Sequence, residues 1–420
     1  MATKLKKYVN EYICFIYPLF TLIYFAYVFF SSVRTGITMT FFLAVGVVGI
    51  CAFHLTLETA CDRVFGLYVL FNLISGIWCV HYGIPLSVFV GEVSTTFLPM
   101  ILYYAGRGFD EEYAARYYHG FMAAALLMGA IGAVFYIWAP RFYIDFSYVN
   151  EFISKADVPT MRVRMNSIIG SGPMGAFVAY STCVSAFFLR KDEKKTKIIG
   201  VIYLLLSILF SFMANQRSAM FCVILFLVFY EFVDIVVDRR KPMKYIWIAL
   251  GSVAAILVAV FIVARGVFEK FYIRLASIPD GFGERSGSWV DAVNSMKNIW
   301  IGDGLGSHGH RAAGIQPYIV ADGGLVKLYT EMGIIGTAMI ILVVVMIYIK
   351  ALTGRNKKLS GIVPELAVIT SAILMSIGSN VLEMELCAPI VYFALGRAVL
   401  KINEKPEDTG GVNNNSEHQK

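Results

Sequence analysis

The sequence predicts an all-α, polytopic integral membrane protein with about 12 transmembrane helices and a large outward-facing loop domain. Of its 420 residues, 58% are hydrophobic and 15% are charged, whereas a soluble domain carries about 25% charged residues. The mean hydropathy is +0.68. The apolar residues form long unbroken runs, and a helix needs about 20 such residues to cross the hydrocarbon of a bilayer. Because only helices and closed barrels satisfy their backbone hydrogen bonds there, the runs indicate helices.

The predicted helices follow these runs in chain order, and the first run comes after Lys4, Lys6 and Lys7. It has no small-residue cleavage site, so we expect a retained anchor and not a cleaved signal peptide. Glu92 and Pro99 lie inside the fourth run, and the last two runs are interrupted by Asn380, Glu383 and Glu385. The twelve runs lie at approximately 10–30, 37–57, 64–80, 85–104, 118–139, 166–189, 198–214, 218–237, 245–264, 323–349, 362–380 and 386–400.

The basic residues orient these helices. With a cytoplasmic N-terminus, twelve spans place 23 of the 36 Lys and Arg on the cytoplasmic side, which agrees with the positive-inside rule. Both termini are then cytoplasmic. The predicted organisation is N-terminal transmembrane helices over 1–139, an outer loop over 140–165, central transmembrane helices over 166–264, a large outer loop over 265–322, C-terminal transmembrane helices over 323–400 and a disordered cytoplasmic tail over 401–420.

The charge balance and the cysteines exclude several classes of protein. The net charge of +7 is concentrated in short cytoplasmic loops, where it faces anionic membrane lipid, so no nucleic-acid partner is expected. The seven cysteines lie in or beside apolar runs, and their spacing matches neither a disulfide framework nor a zinc site. The sequence therefore predicts a membrane protein that works without structural disulfides.

Arginines are concentrated in the predicted outer connections and at one tight turn. Arg217 lies in that turn, between two long apolar runs. The planar guanidinium fork matches the geometry of phosphate, so several arginines near the outer face suit a lipid phosphate or diphosphate. The alternative is that these arginines only extend to lipid headgroups. The candidates are Arg162, Arg164, Arg217, Arg265, Arg285 and Arg311.

The stretch 300–314 reads WIGDGLGSHGHRAAG and is rich in glycine. Gly304, Gly306 and Gly309 fit G-x-G-x-x-G, but no strand precedes them, so we reject a dinucleotide site. A flexible loop tip is the simplest alternative.

Two histidines, His308 and His310, lie within the same stretch. Without a third ligand at a fixed spacing, the pair is a weak metal signal, and no metal or other cofactor is expected.

The residues from Arg285 to Gly336 resemble the carboxy-terminal signature of the O-antigen ligase and polymerase superfamily. That signature has an arginine shortly before a tryptophan, a glycine turn, and a helix that ends E-x-G-x-x-G. The turn around Arg217 is similar to another motif of the family, and Arg164 with Gly175 fits an R-x10-G pattern of its polymerases. The matching residues of the carboxy-terminal signature are Arg285, Trp289, Gly302, Gly304, Gly306, Glu331, Gly333 and Gly336.

The glycine turn is preceded by Ile299 and Trp300, without the proline that is usual in the family. One further position departs from the ligases of this superfamily. Where they have a histidine just before the E-x-G-x-x-G helix, this sequence has Asp322. Polymerases often have aspartate there, so the resemblance favours chain polymerisation. His308 or His310 is an alternative source of the imidazole, and Asp322 could instead cap the helix that begins at Gly323.

The resemblance implies glycosyl transfer at the outer face of the bacterial inner membrane. Donor and acceptor are undecaprenyl-diphosphate-linked glycans, and a chain-length regulator protein is a further expected partner. Fixed cations at the leaving diphosphate stabilise the transition state, and a carboxylate accepts the proton of the attacking hydroxyl. The expected catalytic residues are Asp322, Arg217 and Arg285, and the expected substrate-binding residues are Arg162, Arg164, Arg265, Gly302, Gly304, Gly306, His308, His310 and Arg311.

Two structural expectations accompany this function. Residues 265–322 should form an ordered lid, with a helix capped by Ser288. Arg217 and Arg285 should meet across one pocket about 6 to 10 Å wide, because both must reach the same diphosphate. An O-antigen ligase and a lipid-linked glycan flippase or transporter remain the alternative functions.

Overall fold

The computed structural model describes residues 2–31, 36–138, 141, 165–238, 278–353, 358–384 and 386–404. Over these residues the chain is helical and contains no β-strand. The α-helices are α1 Ala2–Glu11, α2 Tyr17–Ser31, α3 Gly36–Phe53, α4 Ala60–His81, α5 Leu86–Glu92, α6 Leu98–Met100, α7 Leu102–Gly108, α8 Glu111–Trp138, α9 Ser171–Leu189, α10 Lys194–Ala214, α11 Arg217–Phe232, α12 Ile278–Asn294, α13 Gly324–Thr353, α14 Lys358–Gly361, α15 Val363–Met375 and α16 Ala388–Asn403. Short π-helical turns lie at Tyr12–Ile16, Val93–Phe97 and Val233–Val237, and 3₁₀ turns at His310–Ala312 and Val381–Glu383.

Seven of the described helical segments are long and apolar enough to cross a membrane. This confirms an all-α, multi-pass membrane protein, while the total of twelve spans stays a prediction. The run at 245–264 lies outside the described residues. The seven segments are Ala60–His81, Leu86–Gly108, Glu111–Trp138, Gly172–Leu189, Lys194–Ala214, Arg217–Val237 and Gly324–Thr353.

Helix α9 lies at the centre of the bundle, and α10 and α13 lie at its surface. In the most apolar stretch of each helix, 83% of α9 is buried inside the protein, against 28% of α10 and of α13. Helices α7 and α16 touch through their backbones at two glycines. A Cβ atom on Gly106 of α7 or on Gly396 of α16 would overlap a backbone carbonyl of the other helix. Small residues at such contacts are typical of helix packing in membranes.

The charged residues at one end of the bundle join its helix termini. A capping box of Thr59 and Asp62 begins α4, and Arg107, near the end of α7, holds Asp62 through two bonds of 2.7 and 3.0 Å. In the same way, Lys191 before α10 binds Glu111 at the start of α8 at 3.0 Å. These connections are the ones the sequence predicts to be cytoplasmic. Residues 82–92, 297–331 and 376–383 meet at the opposite end, which contains the candidate site.

Candidate functional site

Helix α13 is broken at Gly333, whose φ of 61° and ψ of −166° are not helical. Residues 299–304 lie against the break and take over the backbone hydrogen bonds that the helix loses there. The helix resumes after the break and continues to Thr353, so the run predicted at 323–349 forms α13, with a break at the E-x-G-x-x-G motif. The four replacing bonds are Asp303 N–H to Thr330 O (3.0 Å), Gly304 N–H to Glu331 O (2.8 Å), Ile334 N–H to Ile299 O (2.9 Å) and Ile335 N–H to Trp300 O (3.0 Å).

Gly333→Ala should destabilise the protein, since this backbone conformation is almost exclusive to glycine and costs other residues about 1 to 3 kcal/mol. A Cβ atom there would also overlap the backbone of Trp300 and Gly302. Thermal unfolding in detergent measures the loss. Gly287→Ala is the matched control, because a Cβ at this helical position meets nothing within 4 Å. Equal melting temperatures for the two variants would contradict the assigned role of Gly333.

The glycine turn, residues 302–306, is inserted between α4 and α13 and is buried. Its three glycines have φ values of 71°, 93° and 86°. A Cβ on Gly304 would lie 2.6 Å from the carbonyl oxygen of Ser75 and from Cβ of Cys79. The turn is therefore not a flexible loop tip, because it is docked against a helix.

The backbone N–H groups around the glycine turn bond to acceptors within the protein. A cradle of free N–H groups for an anion is therefore not supported by the described geometry. The acceptors are Asn298 O for Gly302 (2.9 Å), Ser75 Oγ for Leu305 (3.0 Å), Gly304 O for Ser307 (3.1 Å) and the Glu331 carboxylate for Gly306 and His308.

His308 is buried against two acceptors. Its Nε2 lies 2.9 Å from Oδ2 of Asp303, and its Nδ1 lies 3.1 Å from the carbonyl oxygen of Tyr318. Both ring nitrogens therefore face hydrogen-bond acceptors within the protein. Because both nitrogens are occupied by these partners, the His308 ring has no nitrogen open to a sugar hydroxyl. His310 is exposed.

A buried ionic cluster, the Lys327 cluster, lies beneath the glycine turn. The Lys327 ammonium is 1% exposed and contacts three carboxylates: Glu92 at 2.7 Å, Glu331 at 3.4 Å, and Glu383. These acids come from α5, from α13 itself and from the 3₁₀ turn before α16. Arg311 reaches the second oxygen of Glu92 at 3.4 Å. Its predicted role in substrate binding therefore competes with a structural contact.

The sequence pattern does not predict this cluster, although Glu92 and Glu383 both interrupt apolar runs. A signal was present, because Lys327 and Glu331 are one helical turn apart within an apolar run, and an ionisable residue there indicates a partner or a function. The other two partners are distant along the chain. No spacing rule connects them.

Arg285 and Asp322 form an ion pair at the same end of the bundle. Their side chains are 3.1 Å apart and 47% and 49% exposed. Arg285 also donates to the carbonyl oxygen of Gly378 at 3.3 Å, and Trp289 Nε1 donates to the carbonyl of Asp322 at 2.5 Å. The structure thus brings together two of the three predicted catalytic residues.

The described contacts of Asp322 differ from those of a helix cap. The first N–H groups of α13, at Gly324 and Leu325, donate instead to the carbonyls of Ser379 and Ser376 at 3.3 and 3.0 Å. The Asp322 carboxylate is therefore paired with Arg285 and not with the helix start.

The expected cap at Ser288 is wrong. Helix α12 begins ten residues earlier, at Ile278, and the Ser288 hydroxyl donates to the carbonyl of Arg285 at 2.8 Å. The described part of the predicted lid is nevertheless folded, and α12 contacts α13.

The remaining predicted arginines are not joined to this pair by a described contact. Arg217 is the first residue of α11. Its predicted approach to Arg285 across one pocket stays a prediction. Arg162, Arg164 and Arg265 lie outside the described residues.

The fold and this site define an all-helical, multi-pass membrane protein with an ion pair and a buried ionic cluster at one end. Comparison with models of known protein families gives no match, and neither does comparison with curated proteins. The resemblance to the O-antigen ligase and polymerase superfamily therefore depends on the motif residues alone.

Proposed function

We propose that this protein is a glycosyltransferase that polymerises lipid-diphosphate-linked glycan repeats at the outer face of a bacterial inner membrane. The observation that carries the proposal is the ion pair of Arg285 and Asp322. It joins a fixed cation and a carboxylate, the two groups that the reaction needs, at a partly exposed position. The proposal includes twelve spans, cytoplasmic termini, and an outward-facing loop 265–322 above the site.

The ion pair suggests how a substrate is accepted. A diphosphate offers Arg285 a bidentate partner with more charge than one carboxylate, so its binding displaces Asp322 from the guanidinium. The freed carboxylate then accepts the proton of the attacking sugar hydroxyl. As the new glycosidic bond forms, the bond from the anomeric carbon to the diphosphate oxygen breaks and the lipid diphosphate leaves. Arg285 stabilises the charge that develops on it.

The neighbouring contacts support this assignment. Arg285 is fixed by the Gly378 carbonyl as well as by Asp322, and Trp289 fixes the backbone of Asp322. Positioned groups of this kind lose little freedom when the substrate binds. Arg217, Arg164, Arg162 and Arg265 are proposed to bind the second phosphate or the acceptor. The glycine turn is proposed to act indirectly, by holding α13 and Asp322 in place.

A lipid-linked glycan flippase or a transporter is the second candidate. The Lys327 cluster and the break at Gly333 favour it, since buried ionisable residues and interrupted helices are typical of transport pathways. The cluster lies towards one end of the bundle, where the glycine turn covers it, and this arrangement agrees less well with passage across the membrane.

Analysis of the surface glycan in a deletion strain distinguishes these functions. We expect the strain to carry single repeats in place of long chains. Loss of all glycan from the acceptor, with intact long chains on the lipid carrier, would instead indicate a ligase. Lipid-linked repeats trapped on the inner leaflet would indicate a flippase.

A further inference from the structure

A small cavity lies beside the Lys327 cluster. Its volume is about 30 Å³, and a water molecule needs about 10 to 15 Å³ on this measure. The cavity is therefore large enough for water. Its polar lining includes Asn72, Thr96, Glu331, Asn380 and Glu383, and the hydroxyl-bearing rings of Tyr68 and Tyr392 complete it.

The cluster contains more acids than cations. Glu92, Glu331 and Glu383 face Lys327, and the only other described cation that contacts these carboxyls is Arg311, which is 45% exposed. The nearby ring of His308 is hydrogen-bonded to its own carboxylate partner, Asp303. With all three acids ionised, one negative charge would be buried without compensation, which is strongly unfavourable.

Glu383 is the acid with the fewest described donors. Glu92 accepts from Thr96 at 3.0 Å besides its two cations, and Glu331 accepts backbone N–H groups of the loop. The described partner of Glu383 is Lys327, through one oxygen. Of the three acids, Glu383 therefore loses the fewest hydrogen bonds to its carboxylate when it is protonated.

An independent observation at the cavity points to a missing hydrogen-bond donor. Asn380 is 6% exposed and lines the cavity. Its Nδ2 donates to the carbonyls of Val320 and Ala321, whereas its buried Oδ1 has no partner among the described residues. A protonated carboxyl, directly or through water, supplies the donor that this oxygen lacks.

We propose that the cavity at Glu383 and Asn380 is a proton-binding site, which holds one exchangeable proton at neutral pH. A proton fits better than a metal cation, because it neutralises Glu383 without placing a second positive charge beside the Lys327 ammonium. The bound proton keeps the cluster balanced beneath the glycine turn. Asn380 links the site to residues 320 and 321, next to Asp322, but the proposal does not depend on glycosyl transfer.

The pKa of Glu383 supports this assignment. Burial, together with the charges of Glu92 and Glu331, outweighs Lys327 and raises the pKa of Glu383 to about 8. Between about pH 5 and pH 8, the folded protein then keeps a proton that the unfolded chain has released, so folding stability falls as the pH rises through this range.

Thermal unfolding of the full-length protein in detergent, followed as a function of pH, tests the proposal. Glu383→Gln should remove the decline that the wild-type protein has between about pH 5 and pH 8, because glutamine stays neutral. At the alkaline end, the variant should therefore be more stable than the wild type. Glu365→Gln is the matched control, since Glu365 is also buried but contacts Lys401 and Tyr118 at the opposite end of the bundle. It should keep the decline.

Infrared spectroscopy of the wild-type protein gives a second readout that needs no variant to fold. A protonated carboxyl band should be present at about pH 6 and lost above about pH 9, and Glu365→Gln should retain it. The same pH dependence of melting in the wild type and Glu383→Gln would overturn the proposal. So would the absence of a protonated carboxyl band at the lower pH.

Discussion

Lys327→Met should be the most destabilising single substitution at this end of the bundle. The ammonium is buried among three acidic side chains, and methionine leaves them without a central cation. Removing one partner of a buried ion pair typically costs about 3 to 5 kcal/mol. The loss should appear as a large decrease in melting temperature or as failure to accumulate in the membrane. It should also release the glycine turn, which Glu331 holds through its carboxylate.

Lys350→Met is the matched control for this substitution. Lys350 lies near the end of the same helix and is exposed, with a bond of 2.8 Å to Asn403, so its replacement should change stability little. A melting temperature for Lys327→Met close to that of the control would contradict the assigned role of the cluster.

Asp322→Asn should abolish chain lengthening and leave the fold intact. Asparagine keeps the shape of the side chain but cannot accept the hydroxyl proton, and general bases contribute about 10² to 10⁴-fold to rate. Arg285→Lys should lower the rate too, because a point charge cannot reproduce the bidentate fork. Both effects are measured as glycan chain length in a deletion strain complemented with each variant.

Asp291→Asn is the control for Asp322, since Asp291 is an exposed carboxylate on the same helix as Arg285. It should support chains of normal length. Normal chains in Asp322→Asn would remove the catalytic role from Asp322 and move attention to exposed His310.

The helices could largely be predicted from the sequence, because a run of apolar residues has few alternatives inside a bilayer. Predicted and observed bounds agree within a few residues for α10, which was expected at 198–214 and spans Lys194–Ala214. Helix α12 was missed over its first ten residues. Gly283 and Gly287 lower its helix propensity, and contact with α13 overrides that preference.

The site was predicted only in part. Arg285 and Asp322 were found through a motif, and the structure places them together. The docking of the glycine turn against Gly333 could not be predicted, because two separate segments exchange backbone hydrogen bonds and no side-chain pattern records the pairing. The same limit applies to Lys327 and Glu92, which are 235 residues apart.

The most direct test of the proposed function is elongation of lipid-linked repeats by the purified protein in vesicles. Repeats extracted from the deletion strain serve as donor and acceptor. We expect a ladder of longer lipid-linked chains, with one lipid diphosphate released for each repeat added, and neither product with Asp322→Asn. Repeats that remain single and attached to their lipid in the presence of folded wild-type protein would contradict the proposed glycosyl transfer.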